Sequence, residues 1–249
     1  MNQNESRGDI CIAIDPMGGS QLSLAVAVLL AEKLNTGLYG LLLANDALQS
    51  VAQLPFAREI QRVTGDEREF AAETLLSQYQ HNLRRIRELM EQSAAPRQVR
   101  FRIETPDAYP SFDVILEQQP VLFLPAPAQR RAAHRKSAPE PGTVKWVYDG
   151  SEASHHCFDL LRELIAEHAV RKVFLVGRSA VPEQVLTELA RLGARVFWMN
   201  LSGSDLATQL KVAPEVELIL IPRPVSSQLG EPELRAINRA SAASVIVVS

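Results

Sequence analysis

The sequence predicts an α/β protein in which two doubly wound parallel sheets follow one another along the chain. Two observations support this prediction. Short apolar segments alternate with helical segments from residue 10 to residue 248, an order typical of parallel strands joined by helices. The second half of the chain also repeats two local motifs of the first half, which indicates an internal duplication.

The first half opens with a strand, turn and helix. Ile10 to Ile14 is an apolar run without a polar break, as expected of a strand that is covered on both faces. A helix is predicted from Gln21 to Leu34, with Ser20 as its N-cap and Gly37 as its C-terminal stop. Later strands of this half are predicted at 38–44, 99–103 and 121–124.

A long insertion, about residues 45–97, separates the second and third of these strands. Its main element is a helix predicted from about residue 66 to residue 92. Apolar residues at heptad spacing mark one face of that helix: Ala72, Leu76, Tyr79, Leu83, Ile86 and Met90. The repeat is shorter than the three or four heptads of a coiled coil, which favours an amphipathic helix lying on its own sheet. The alternative is a protruding helix that docks a partner protein.

A basic, proline-containing segment lies between the halves. Residues 129–142 hold four basic residues and one acidic residue, whereas the whole chain has a net charge of −3. This shift predicts a first domain over 1–128, a linker over 129–142 and a compact second domain over 143–249. Arg130 to Lys136 is interpreted as a solvated connector, with contact to an anionic ligand or acidic partner as the alternative.

The second half repeats the order of strands and helices more compactly. Strands are predicted at 143–148, 172–176, 195–199, 218–221 and 245–248, and helices at 151–168, 182–192, 205–210 and 232–240. Each first strand is followed by Asp and then Gly-Ser-x-x-Ser, beginning at Asp15 and at Asp149. Each fourth strand is followed by Pro-x-Pro, at residues 125–127 and 222–224.

The Asp-Gly-Ser-Glu-Ala-Ser stretch from Asp149 to Ser154 and the terminal Ala-Ser-Val-Ile-Val-Val strand resemble the universal stress protein family, here as a tandem pair. The resemblance implies two Rossmann-like sheets of the adenine nucleotide alpha hydrolase type, with five parallel strands each and pairing through their last strands. In some members ATP lies at the carboxyl ends of the strands. The first half shows no fifth strand of its own, unless the linker supplies it.

The resemblance also implies candidate nucleotide-binding residues at the ends of the strands. They are Asp15, Ser20 and Leu43 in the first half, and Asp149, Ser151 and Val176 in the second half. Each has a structural interpretation as well, because aspartate and serine cap helix N-termini and the apolar residues pack in the core.

The glycine loop of ATP-binding family members is replaced in both halves. Proline occupies the glycine positions at 125–127 and 222–224, and of the later glycines only Gly230 remains, followed by Glu231. Proline has no backbone N–H for a phosphate and stiffens the turn. We therefore expect no cofactor and no ATP bound in the family's usual way. The alternative is a stress sensor that holds ATP or AMP in one cleft.

Composition and charge narrow the function classes. A net charge of −3 gives no general attraction to nucleic acid, and the longest apolar run, Leu24 to Ala31, is far shorter than the ~20 residues of a membrane span. No leader segment is recognised, so a cytoplasmic location is expected. His155 and His156 have no second pair of possible ligands at the spacing of a metal site, so no bound metal is expected.

No catalytic arrangement stands out from the spacing of residues. The sequence therefore predicts a non-catalytic regulatory or interaction module of the stress response, and not an enzyme. Its expected partner is another protein or itself, either as a pseudo-dimer within the chain or as a homodimer.

Overall fold

The computed structural model describes residues 8–14, 21–42, 58–60, 67–69, 72–106, 110–126, 142–177, 181–200, 205–212 and 216–249. The strands are β1 (Ile10–Ile14), β2 (Leu38–Leu42), β3 (Arg58–Ile60), β4 (Glu67–Glu69), β5 (Phe101–Glu104), β6 (Val121–Leu124), β7 (Gly142–Tyr148), β8 (Val170–Gly177), β9 (Arg195–Asn200), β10 (Leu218–Pro222) and β11 (Ser244–Val248). The α-helices are α1 (Gln21–Leu34), α2 (Ala72–Ala94), α3 (Phe112–Gln118), α4 (Glu152–Ala166), α5 (Glu183–Arg191), α6 (Leu206–Lys211) and α7 (Arg223–Ser241).

Nine of these strands form one mostly parallel sheet in the order β5-β2-β1-β6-β11-β10-β7-β8-β9. The first four are mutually parallel, and so are the last five. The two sets meet at β6 and β11, which pair antiparallel from Val121 opposite Val248 to Leu124 opposite Val245. The short strands β3 and β4 form a separate antiparallel pair. The protein is thus an α/β protein of general Rossmann-like type.

The sequence predicted two separate sheets, whereas the strands form a single one. Within the described residues the first set has four strands, and its inner member β6 borders β11, the last strand of the second set. Strand β11 is therefore paired on both sides, parallel to β10 and antiparallel to β6. This pairing satisfies backbone groups that two separate sheets would expose along their inner edges.

Helices cover both faces of the sheet. Successive strand residues point to opposite faces, so Ile10 and Ile12 join one core cluster and Cys11 and Ala13 the other. The first face is covered by α1, α2, α4 and α5, and the second by α3, α6 and α7. No helix in the described ranges combines the length and apolar character needed to cross a membrane.

The described part of α2 agrees with an amphipathic helix on its own sheet. Met90 is fully buried, Ile86 is nearly so, and Leu83 packs against the same core cluster. The side chains of Leu76 and Tyr79 lie outside the described residues. The helix runs from residue 72 to residue 94 and continues into a single 3-10 turn at Ala95–Arg97.

Three parts of the fold differ from the elements that the sequence predicts. Helix α3 was not predicted, because a segment of seven residues is too short to show a clear periodicity. The helix predicted from about residue 66 to residue 92 begins only at residue 72, and residues 67–69 form β4, which pairs with β3.

Helix α7 is interrupted by a kink at Gly230, and its part after the kink contains the helix predicted at 232–240. Its part before the kink, from Arg223, was not predicted; it begins with two prolines, Pro222 at the N-cap and Pro224 in the first turn, where proline is well suited.

We predict that Met90→Ala lowers the free energy of unfolding by roughly 2–5 kcal/mol, because it leaves a cavity where a fully buried side chain packs between α2 and the sheet. Urea unfolding followed by circular dichroism measures the change. The neighbouring exposed residue gives the control Glu91→Ala, expected within about 0.5 kcal/mol of the wild type. Equal effects of both substitutions would contradict the packing of α2.

Candidate functional site

The candidate site lies at the carboxyl ends of β7 and β10. These strands are neighbours, but α4, which follows β7, packs on the first face, and α7, which follows β10, packs on the second. The chain thus leaves the sheet in opposite directions from two adjacent strands. Such a topological switch point is where open α/β sheets form their ligand crevice.

Asp149 directly follows β7 and is held by the first turn of α4. Its Oδ1 accepts hydrogen bonds from the Ser151 N–H at 3.0 Å, the Ser151 hydroxyl at 2.6 Å and the Ser154 hydroxyl at 2.5 Å. The backbone N–H of Asp149 donates to Ser154 Oγ at 3.2 Å. Ser154 is fully buried, so the carboxylate satisfies a hydroxyl that water cannot reach.

This arrangement makes Ser151 and Asp149 a joint cap. Ser151 is the N-cap of α4, and its Oγ accepts from the Ser154 N–H. Between them Gly150 has a φ of 81°, a left-handed conformation that a residue with a Cβ rarely adopts. Burial raises the pKa of Asp149, but the hydrogen bonds from Ser151 and Ser154 outweigh it and leave this pKa below its ordinary value.

On the other side of the crevice α7 begins directly after β10. Pro222 ends the strand and is the N-cap residue of the helix, with a second proline in the first turn. Arg223 is engaged by structural partners: Nη1 donates to Leu116 O at 3.3 Å and Ser249 Oγ at 3.5 Å, and Nη2 lies 3.9 Å from Glu117. Strand and helix therefore follow one another without an intervening flexible loop.

Gly230 and Glu231, in the middle of α7, also have structural roles. Gly230, at a φ of 74°, interrupts the helical conformation inside α7. Glu231 then accepts from the Phe112 N–H at 3.2 Å and from Arg235 at 2.7 and 2.9 Å. Its carboxylate thus joins α7 to the start of α3 rather than facing an open anion site.

The corresponding segment of the first half is buried at the junction of the two strand sets. The Asn238 amide of α7 donates to Leu124 O at 3.3 Å and Pro125 O at 3.1 Å. The Ala126 N–H donates to Ser244 Oγ at 3.3 Å, and Ala126 is fully buried. These contacts bind the backbone at the start of the first Pro-x-Pro segment.

The structure describes only part of the predicted site. Asp149 and Ser151 lie together, and Val176 is fully buried near the end of β8, opposite Val147 of β7. Asp15, Ser20 and Leu43 lie outside the described residues, as does the basic stretch Arg130 to Lys136.

His155 and His156 of α4 show no metal-binding arrangement. Both are exposed, and Nδ1 of His156 lies 2.8 Å from Ser249 O. No group of three His, Cys, Asp or Glu side chains suited to a metal ion occurs among the residues that the structure describes.

Sequence reasoning missed Lys145, a buried cation in the middle of β7. Its Nζ donates to Gln209 O at 2.6 Å and Val212 O at 2.9 Å, at the carboxyl end of α6. Its strand neighbours are Ile219 and Phe174. Burial lowers the pKa of Lys145 to about 8. The signal in the sequence that could have revealed this buried cation is a lysine within an otherwise apolar strand.

Comparison with known proteins gives little further information. No family model and no curated protein matches the chain. Among solved structures, the crystal structure of Acinetobacter baumannii MurG is similar, with 15% identity, a TM-score of 0.26, and coverage of 86% of this chain and 73% of that one.

The prediction that this chain is not an enzyme is contradicted by that comparison and is withdrawn, since MurG is a glycosyltransferase. With a TM-score of 0.26, the match is a weak, fold-level one and assigns no reaction to this chain.

We predict that Asp149→Ala lowers the unfolding free energy by roughly 1–3 kcal/mol at neutral pH, because it leaves buried donors without an acceptor. Since the folded pKa is lowered, the stabilisation is present above the ordinary value of 3.8 and is lost as pH falls through the folded pKa. Urea unfolding from pH 7 to pH 3 tests this, with the exposed Asp159→Ala of α4 as control. A difference between wild type and Asp149→Ala that does not shrink in acid would contradict the role of the carboxylate.

We predict a pH-dependent stability difference between the wild type and Lys145→Met. Below pH 8 the lysine is charged in both states and its burial cost is fully present. Between about 8 and the ordinary value of 10.5, the unfolded state binds more protons, so the wild type gains stability relative to the variant. Paired urea unfolding curves at pH 7, 8, 9 and 10 measure the difference. A constant difference would show that Lys145 keeps its ordinary pKa.

Proposed function

We propose that this protein is a regulatory or interaction module related to the universal stress proteins, in which two similar halves share one sheet. The main observation behind this proposal is that both Pro-x-Pro segments make structural contacts within the fold. One begins α7 directly after β10, and the described start of the other, Pro125 and Ala126, is bound by Asn238 and Ser244. Residues at the positions of the family's phosphate loops thus contribute to the fold.

The strand order supports the proposed relation between the halves. Leaving aside the β3–β4 pair, β5-β2-β1-β6 is the third, second, first and fourth strand of its half, and β9-β8-β7-β10 has the same order. Two tandem units with β11 between them would give this arrangement. The pairing of β6 with β11 would then replace the contact that two separate copies of such a unit make with each other.

The polar groups at the switch point support the absence of ATP binding in the family's usual way. Oδ1 of Asp149 already accepts three hydrogen bonds, and Arg223 is turned to α3 and Ser249. A triphosphate needs several free backbone N–H groups or cations in one place. Pro222 and Pro224 offer no N–H, and Glu231 adds a negative charge near the start of α3.

An adenine-nucleotide-binding sensor is the second candidate. It is favoured by the switch point between β7 and β10, where a carboxylate with a lowered pKa, Asp149, stands at the start of α4. In this alternative Asp149 and Ser151 would contact the nucleoside part of AMP or ATP, with the phosphates pointing into solvent.

We predict that freshly purified protein releases no adenine nucleotide on denaturation, as measured by mass spectrometry, and that calorimetric titration with ATP or AMP up to about 1 mM gives no saturable heat. Nucleotide released in a stoichiometric amount from the wild type would overturn the proposal. If that nucleotide is lost in Asp149→Ala and retained in the control Asp159→Ala, the sensor is the correct function.

A further inference from the structure

The outer edge of β9 is an unusual surface of this sheet. Within the described residues β9 pairs only with β8, so the backbone groups on its other side have no strand partner. Phe197 and Trp198 in the middle of β9 are 45% and 44% exposed. Because adjacent strand residues point to opposite faces, the edge exposes one aromatic ring on each face of the sheet.

The opposite edge of the sheet, β5, has a different character. Its residues include Arg102 and Glu104, whose side chains are 54% and 55% exposed and lie 3.8 Å apart. Charged side chains along an edge strand are a common protection against pairing with another strand. Strand β9 carries aromatic rings at its centre instead, so its edge lacks this protection.

Charges around β9 are separated along the strand direction. Helix α5 connects β8 to β9 and runs antiparallel to both, which places Glu183 at the carboxyl edge of the sheet and Arg191 at the amino edge. Arg195 begins β9 and also lies at the amino edge. Within the described part of the chain these three side chains form no ion pair. The edge is therefore acidic at one end and basic at the other.

We propose that a second copy of this chain pairs with this edge, β9 against β9, antiparallel about a two-fold axis perpendicular to the sheet. The two nine-stranded sheets would then continue into each other. The chain already joins parallel strands across an antiparallel pair at β6 and β11. An isologous contact of this kind closes on itself and stops at the dimer.

The symmetry sets the possible registers. Opposed residues of an antiparallel pair point to the same face, so one residue of β9 must lie opposite the same residue of the second copy, with the axis midway between the two. An axis at Trp198 places both indoles together, with Phe197 opposite Met199. An axis at Phe197 places both phenyl rings together, with Trp198 opposite Val196. Either register buries the two exposed aromatic rings of each copy at or beside the axis.

The charge separation matches the same symmetry. An antiparallel arrangement brings the carboxyl edge of one copy next to the amino edge of the other. Glu183 of each copy then faces the end of the edge that carries Arg191 and Arg195 of the second copy. A parallel arrangement would place like charges together, so electrostatics favours the antiparallel dimer.

Sedimentation velocity of the full chain over about 1–100 µM tests the proposal, because an edge of six residues with its flanking helices lies at the low end of interface sizes. We expect a reversible dimer. Trp198→Glu should abolish it, whereas Val114→Glu, at another exposed apolar residue, should not. A wild type that remains monomeric over this range, or a dimer unaffected by Trp198→Glu, would overturn the proposal.

Charge reversal gives a second test, which does not depend on folding of the Trp198 variant. Glu183→Arg or Arg191→Glu alone should raise the dissociation constant roughly fivefold or more, since each appears twice in the dimer. The double variant should return it to within about threefold of the wild type. Additive weakening in the double variant would rule out the antiparallel arrangement. Circular dichroism of each variant establishes that it is folded.

Discussion

The antiparallel pairing of β6 with β11 is the contact on which the rest of the structure depends. It joins two parallel sets of strands into one sheet and leaves β11 paired on both sides. Apart from Ser244, the residues of both strands at this junction are apolar, and the strands lie between helices on both faces. Hydrophobic burial and backbone hydrogen bonding therefore act together at the centre of the molecule. Asn238 and Ser244 secure the chain where it leaves β6.

Two charged groups inside this apolar framework, Asp149 and Lys145, have structural partners. Asp149 holds the first turn of α4, and Lys145 holds the last carbonyl groups of α6. Both charges lie on or directly after β7. A buried charge is tolerated where hydrogen bonds replace the water that it has lost. Strand β7, whose end supplies Asp149, thus also positions α6 through Lys145.

The ends and the lateral edges of the sheet differ in the residues that occupy them. At the carboxyl edge, Pro222 passes the chain straight from β10 into α7, and Arg223 turns to α3. At the lateral edges, β5 is covered by charge, whereas β9 presents aromatic rings. Asp149, Arg223 and Glu231 all have partners within the protein, whereas β9 pairs with a single strand among the described residues.

The sequence by itself determined the α/β class and nearly all strands and helices of the second half, because apolar periodicity and capping are local properties of the chain. It left open whether Asp149 and Ser151 cap a helix or bind a nucleotide. Only the tertiary structure decided that the strands form one sheet, since the pairing of β6 with β11 joins residues more than 100 positions apart. The same holds for Lys145, whose partners lie on α6, and for Glu231, which reaches the start of α3. Long-range pairing depends on which surfaces meet, and no local pattern of residues records that.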